Sequence, residues 1–381
     1  MRTIGGLRAA WIPVLWASLM LLVPGCANVA FEHGSTRLSE QSLVFGRILL
    51  DRDGEPVVVT PMSMPVVIRN IASGDEPRLI TQSFEQDGRF YWTLPPGHHQ
   101  LSLVLHRYAG GVVSYSFHLP EVGKAYHFGD LTVHGRKRFD SLGSANMRDV
   151  KADLTDTFVD ARASLLRRNP QLNSIGVERL VLRDMTDPQQ RVSAYADALM
   201  DSTPCCNSLE QLPFRRWLPG QRSAIQINAA SPVFNFPEGR SRFVALELPP
   251  GLASLNLRSV VTPSAMPGSD ILYVFSPAVM LLDEQHKVIG AAQRNIFKAT
   301  PASVMPPRQA SLQGSVRLEE AGRRAKYLVI HTTPALLATA AQSYRPGFVG
   351  APGGVIPTGQ WVGLSMEPAI SGVLEIDAAE Q

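Results

Sequence analysis

Residues 87–105 read DGRFYWTLPPGHHQLSLVL, and this stretch decides the fold class. An aromatic run from Gly88 to Leu94 is stopped by Pro95-Pro96-Gly97, and a second apolar run follows. In that second run Leu101, Leu103 and Leu105 fall two residues apart, which places them on one face of a strand. Outward from here the same pattern repeats. LVFGRILL, MPVVIRNI, PRLITQSF, VVSYSFHL and AYHFGDLTVH are short, rich in β-branched and aromatic residues, and separated by Asp53-Gly54, Ser73-Gly74-Asp75 and Gly110-Gly111. Seven such strands within residues 42–136 predict a small β-sandwich.

The period then changes. Met147, Val150, Leu154, Phe158, Ala161 and Leu165 step by three or four, which predicts a helix over 145–169 ended by Asn169-Pro170. A second, shorter helix is expected near Val192–Met200, with GVERLVLRDM between them a strand or a helical turn. From Cys205 onward the reading is β again, in RSAIQINA, SPVFNFP, RSRFVALELP, ASLNLRSVV, ILYVFSPAVMLLD, KVIGAAQ, GSVRLE, RRAKYLVIHT and SGVLEID. The expected architecture is mainly β, with two β-sandwich-like domains (42–136 and 205–378) joined by a mostly helical connector (137–204).

The first residues read as an export signal. Arg2 and Arg8 precede an apolar run from Ala9 to Val23 that is too short to span a bilayer comfortably. It ends in Val23-Pro24-Gly25-Cys26, which resembles the bacterial lipobox. Residues 1–25 are then a lipoprotein signal peptide, Cys26 the lipidated residue, and 26–41 a polar stalk. Buried acyl chains hold such a protein on a membrane. Ala27, where inner-membrane lipoproteins carry Asp, points to the outer membrane, facing the periplasm.

The formal charge is +3, and removing the two signal arginines leaves 34 − 33 = +1 for residues 26–381, so basicity gives no argument for nucleic acid. Cys205 and Cys206 are adjacent, in a compartment where disulfides persist. A vicinal disulfide is the expectation, with two thiols or bonds to another chain as alternatives. No Gly-x-Ser-x-Gly, phosphate-loop or His-Glu-x-x-His pattern occurs, so neither catalysis nor a cofactor or metal is expected. His98-His99 reads as a solvated turn after Pro-Pro-Gly, and Asp51-Asp53-Gly54 and Asp283-Glu284 as turns between strands. Sugar recognition needs aromatic faces, for which Trp217, Trp361 and Tyr273 are the candidates. Phe234 and Phe236, alternating on one strand, read as core.

Two resemblances add to this. Asp87–Leu105 resembles a recurrent piece of transthyretin-like and carboxypeptidase-regulatory-like domains, in which an aromatic strand, a Leu-Pro-Pro-Gly turn and the next strand make a hairpin. Such domains are spacers or interaction modules. Cys205-Cys206-Asn207-Ser208-Leu209, Leu212-Pro213-Phe214, Ser231–Phe236 with Gly239, Ser241 and Phe243, Leu248-Pro249, and Val274–Val279 running into Leu281–Glu284 together resemble the maltose operon periplasmic protein (MalM) family. That resemblance implies a non-enzymatic envelope protein tied to maltose and maltodextrin uptake. Its partners would be an α-glucan or an outer-membrane porin. The alternative is a structural envelope protein that acts as spacer or protein-interaction module without binding sugar.

Overall fold

The computed structural model describes residues 31, 38, 40–57, 66–73, 78–80, 84–105, 111–139, 145–218, 223–263, 271–289, 296–302, 309–320, 323–351 and 354–378. Cys26 and the signal and stalk expected around it lie outside the described residues, apart from a few positions of the stalk. The fold is mainly β, and two large cores organise it.

The first core lies between two sheets. In one, strand Ser42–Arg52 runs parallel to Ala125–Phe139 and antiparallel to Arg89–Leu94 and Glu55–Val57. In the other, Gly97–Leu105 pairs with Val66–Asn70 and Gly111–Leu119. Phe90, Trp92, Leu94 and Phe128 from the first sheet meet Val66, Ile68, Leu101 and Leu103 from the second. Arg89–Leu94 and Gly97–Leu105 therefore belong to different sheets, and the hairpin expected across Pro95-Pro96-Gly97 does not form. The two prolines carry no N–H with which to extend a ladder, and Gly97 turns the chain at φ 125°, so the segment becomes a corner between sheets. The parallel pair needs its own glycines. Ser42–Arg52 and Ala125–Phe139 shift register at Phe45/Gly46, where a Cβ on Gly46 would lie 2.6 Å from the Gly129 carbonyl oxygen.

Residues 145–155 are a strand, not the first half of a helix. Ala145–Thr155 extends the sheet by pairing antiparallel to Ala125–Phe139. Val150 and Ala152, two apart, pack on the first core, while Leu154, which the helical reading buries, is 46% exposed. The sheet edge outcompeted a helix because nine of the eleven residues gain a ladder partner there, a register shift at Asp149 and Val150 excepted. Helix α1 spans only Phe158–Arg168, and its Leu165 covers the outer face of the first sheet with Phe45 and Tyr91. Two short strands, Val177–Arg179 and Arg183–Asp184, then join one sheet each. The expected connector is thus only partly helical, and much of it is built into the first sandwich.

Helix α2 spans Pro188–Met200. Asp187 caps it by accepting from the Gln189 and Gln190 N–H groups, and Pro188 occupies the first turn. Its buried residues, Arg191, Ala194, Tyr195, Ala198 and Leu199, follow the helical period.

The second core lies between a sheet built on Gly239–Glu247, Tyr327–His331 and Ala278–Leu282 and a sheet built on Ser254–Val260, Ser311–Arg317 and Gly372–Ala378. Leu246, Leu255, Leu257, Phe275, Leu281, Leu328 and Ile376 fill it. A further sheet contains a long antiparallel pair, Ala341–Ala351 with Gly354–Ala369, beside Ile271–Phe275. Its Pro- and Gly-rich sequence gave no strand signal. KVIGAAQ is no regular strand in its described part; Val288 makes one isolated bridge with Leu282.

Candidate functional site

Trp217 and Tyr273 are buried in different parts of the molecule. Trp217 is 3% exposed and belongs to the second core. Tyr273 is also 3% exposed: its hydroxyl meets Ser102 Oγ at 3.0 Å, and the Arg69 guanidinium covers its ring at 3.5 Å. Neither presents a ring face on which a sugar could stack. Trp361 lies on strand Gly354–Ala369 opposite Pro346, and its side chain falls outside the described residues. Phe234 and Phe236 are buried against Phe243, as expected of core. The Cys205 and Cys206 sulfurs stand at disulfide-bonding distance. Cys205 N–H donates to the Val233 carbonyl at 2.8 Å, and Cys206 packs beside Leu209, Leu212 and Phe214 over the outer face of the Gly239–Glu247 sheet.

Tyr273 instead belongs to a polar seam between the two sandwiches. Arg69 donates to Gln100 Oε1 and, through Nη2, to the Tyr195 hydroxyl at 2.8 Å. The Tyr195 hydroxyl in turn donates a hydrogen bond to the Pro368 carbonyl at 2.6 Å. Gln100 donates to Ser114, which in turn meets Ser102. Arg191 of α2 donates to the carbonyls of Met185, Leu337 and Ala338, the last two ending helix α3 (Pro334–Ala338). These groups share their polar atoms inside the protein, which is what makes burying them tolerable.

A more reactive cluster lies at the edge of this seam. His98 and His99 are not in a solvated turn. Both lie on strand Gly97–Leu105, 8% and 3% exposed. Antiparallel pairing sets His98 directly opposite His118, and their rings stack at 4.1 Å with 3° between planes. Asp201, at the end of α2, brings Oδ2 to 3.1 Å from His98 Nε2. Burial pushes the His98 pKa down, the neighbouring His118 adds to that, and Asp201 partly offsets it. His99 is driven to about 4 by burial, offset in part by its bond to the Pro95 carbonyl. His98 and His118 open onto a cleft of about 300 Å³ that Tyr126, Arg179, Arg183 and Asp197 also line.

Asp51-Asp53-Gly54 is a tight hairpin turn, with both Asp53 and Gly54 at positive φ and Gly54 N–H on Asp51 Oδ1. Asp283 accepts from the N–H groups of Gln285 and Lys287, so it too is a turn residue.

Comparison with known families matches residues 238–346 to the model described as maltose operon periplasmic protein precursor (MalM). The span begins at Glu238, just before strand Gly239–Glu247, and includes Ser241, Phe243, Leu248-Pro249 and Val274–Glu284. It is narrower than the region the sequence resemblance suggested, because Cys205–Phe214 and Ser231–Phe236 precede it. The transthyretin-like resemblance of residues 87–105 lies outside the matched span. No curated protein matches the chain, and no solved structure does.

Proposed function

We propose that this chain is a non-catalytic accessory protein of maltose or maltodextrin uptake in the bacterial cell envelope. The observation that carries the reading is the family match over residues 238–346, which takes in the central strands of the second core. The family's description is of a periplasmic protein. Among the described residues no helix is long and apolar enough to cross a membrane. An acylated Cys26 then supplies the attachment, on the outer membrane and facing the periplasm. The two sandwiches act as two modules held around α2.

Within this reading the protein works through contact with a partner of the uptake system, such as a porin. The burial of Trp217 and Tyr273 favours that over direct sugar stacking, and it equally favours the spacer reading, in which no sugar is bound. Two measurements on the native host test the proposal. A deletion strain should grow more slowly on limiting maltodextrin and normally on glucose. Cross-linking from the anchored protein should recover a component of the sugar-uptake machinery. Equal growth on both carbon sources, with no such component recovered, sinks the accessory role.

A further inference from the structure

We propose that His98, His118 and Asp201 form a binding site for a divalent transition metal of the zinc type. Each residue offers one ligand atom, and the three atoms lie within 4.8 Å of one another. In a tetrahedral zinc site with bonds of about 2.0–2.2 Å, ligand atoms stand roughly 3.3–3.5 Å apart. His98 Nε2 and Asp201 Oδ2 stand 3.1 Å apart, a few tenths of an ångström short of that spacing.

Two imidazoles and one carboxylate are the donor set that borderline divalent ions prefer. The register of the Gly97–Leu105 and Gly111–Leu119 strands fixes the two histidines side by side, so the pair is preorganised. His98 is the buried, immobile member. His118 and Asp201 are exposed, and closing the site takes only a tilt of the His118 ring out of its parallel stack and a rotation of Asp201. Ligation requires the Nε2 lone pair, so His98 keeps its proton on Nδ1 and the metal replaces the hydrogen bond to Asp201. Three protein donors leave a fourth position open toward the 300 Å³ cleft. Asp197, one helical turn before Asp201, stays on the cleft wall because Arg183 Nη2 holds it at 2.5 Å.

The site has a structural consequence. His98 and His118 belong to the first sandwich, whereas Asp201 ends α2, which also packs on Val233, Leu337 and Ile370 next to the second core. A bound metal therefore cross-links the first sandwich to the helix that seats the second.

The experiment uses the full chain, purified without a histidine tag and stripped with chelator. Zinc is titrated against a chromophoric competitor, melting is followed in parallel, and imidazole NMR signals are recorded. One zinc should bind per chain, raise the melting temperature, and shift the His98 and His118 signals together. His118→Gln and Asp201→Asn should each weaken binding at least about ten-fold, as losses around a metal typically do. Both change exposed groups, so the metal-free variants should melt with the parent. His134→Gln is the control: that ring is occupied by Asp51 and Asp153 elsewhere on the first sandwich, and zinc affinity should not change. Absence of saturable one-to-one binding overturns the proposal, as does zinc affinity unaltered by both site substitutions.

Discussion

Arg242, on strand Gly239–Glu247, is 1% exposed, and its Nε and Nη1 have no hydrogen-bond partner among the described residues. Val244 and Leu246, two and four residues on, belong to the second core, so alternation aims the guanidinium at the same side. Burial pushes its pKa down to about 10. At pH 7 the group is charged in both folded and unfolded chains, so the cost of stripping water from the cation falls on the folded state. Arg242→Met keeps most of the volume and removes the charge; urea unfolding should show a gain of about 1–3 kcal/mol. A loss of similar size would mean that the guanidinium holds something in solution. His127 gives the pH dependence. It is 2% exposed between the rings of Phe45 and Phe158, and burial lowers its pKa, with Asp130 and Asp156 partly offsetting that. The unfolded chain takes up a proton near 6.5 that the folded chain resists, so this stability is whole above that pH and is lost as pH falls toward the folded value. Urea midpoints at pH 7.5 and 5 should differ, and His127→Gln should narrow the gap without closing it, since His98 and His99 shift the same way. At this scale the readable residues were those whose partners are local. The Asp53-Gly54 and Asp283 turns close on neighbours within a few positions. The burial of Trp217 and Tyr273 was not legible, because what covers them comes from distant segments.

Helix α2 shows what makes an element legible. Its cap, first-turn proline and apolar period all lie within Asp187–Met200, so the chain states the helix locally. The helix begins one turn before the expected Val192, at the start signal Asp187-Pro188. Asp187→Ala should cost about 1 kcal/mol in equilibrium unfolding, since two N–H groups lose their acceptor; an unchanged midpoint would mean that water replaces it at no cost. Residues 145–155 show the opposite case. Their apolar spacing fits a helix, yet it also contains Val150 and Ala152 at strand spacing, and the open edge of Ala125–Phe139 decided between them. The pair Ala341–Ala351 and Gly354–Ala369 was illegible for a related reason, as its prolines and glycines carry no periodic signal and only pairing defines the strands. The His98–His118 pair was half legible. Once Gly97–Leu105 and Gly111–Leu119 pair antiparallel with Leu105 opposite Gly111, residue 98 falls opposite 118. Asp201 reaches them only through the docking of α2, which no local pattern announces.

The whole molecule departs most from the expectation of two sandwiches joined by a connector. The seam between them is continuous. Ile71 and Met185 from one side, and Val233, Leu337 and Ile370 from the other, close on the same face of α2. Arg191 is the strongest single tie, 4% exposed, with three carbonyl acceptors that come from both sides and Glu367 Oε2 at 3.6 Å. Two of those acceptors are the final carbonyls of α3, where a cation also complements the helix dipole. Such a seam should make the two cores unfold together, so calorimetry should record one transition for the full chain. Arg191→Ala removes every one of these bonds and leaves buried carbonyls unsatisfied, at about 1–3 kcal/mol apiece where water cannot enter. The expected result is a lower melting temperature together with separation into two transitions, one per core, because the damage is confined to the junction while both cores keep their packing. Arg191→Lys should restore part of the coupling, since an ammonium can reach some of the same carbonyls but cannot fork to three. Two resolved transitions in the unmodified chain would show that the seam does not couple the cores. A single lowered transition in Arg191→Ala would show that the coupling runs through the apolar contacts of α2 rather than through this arginine.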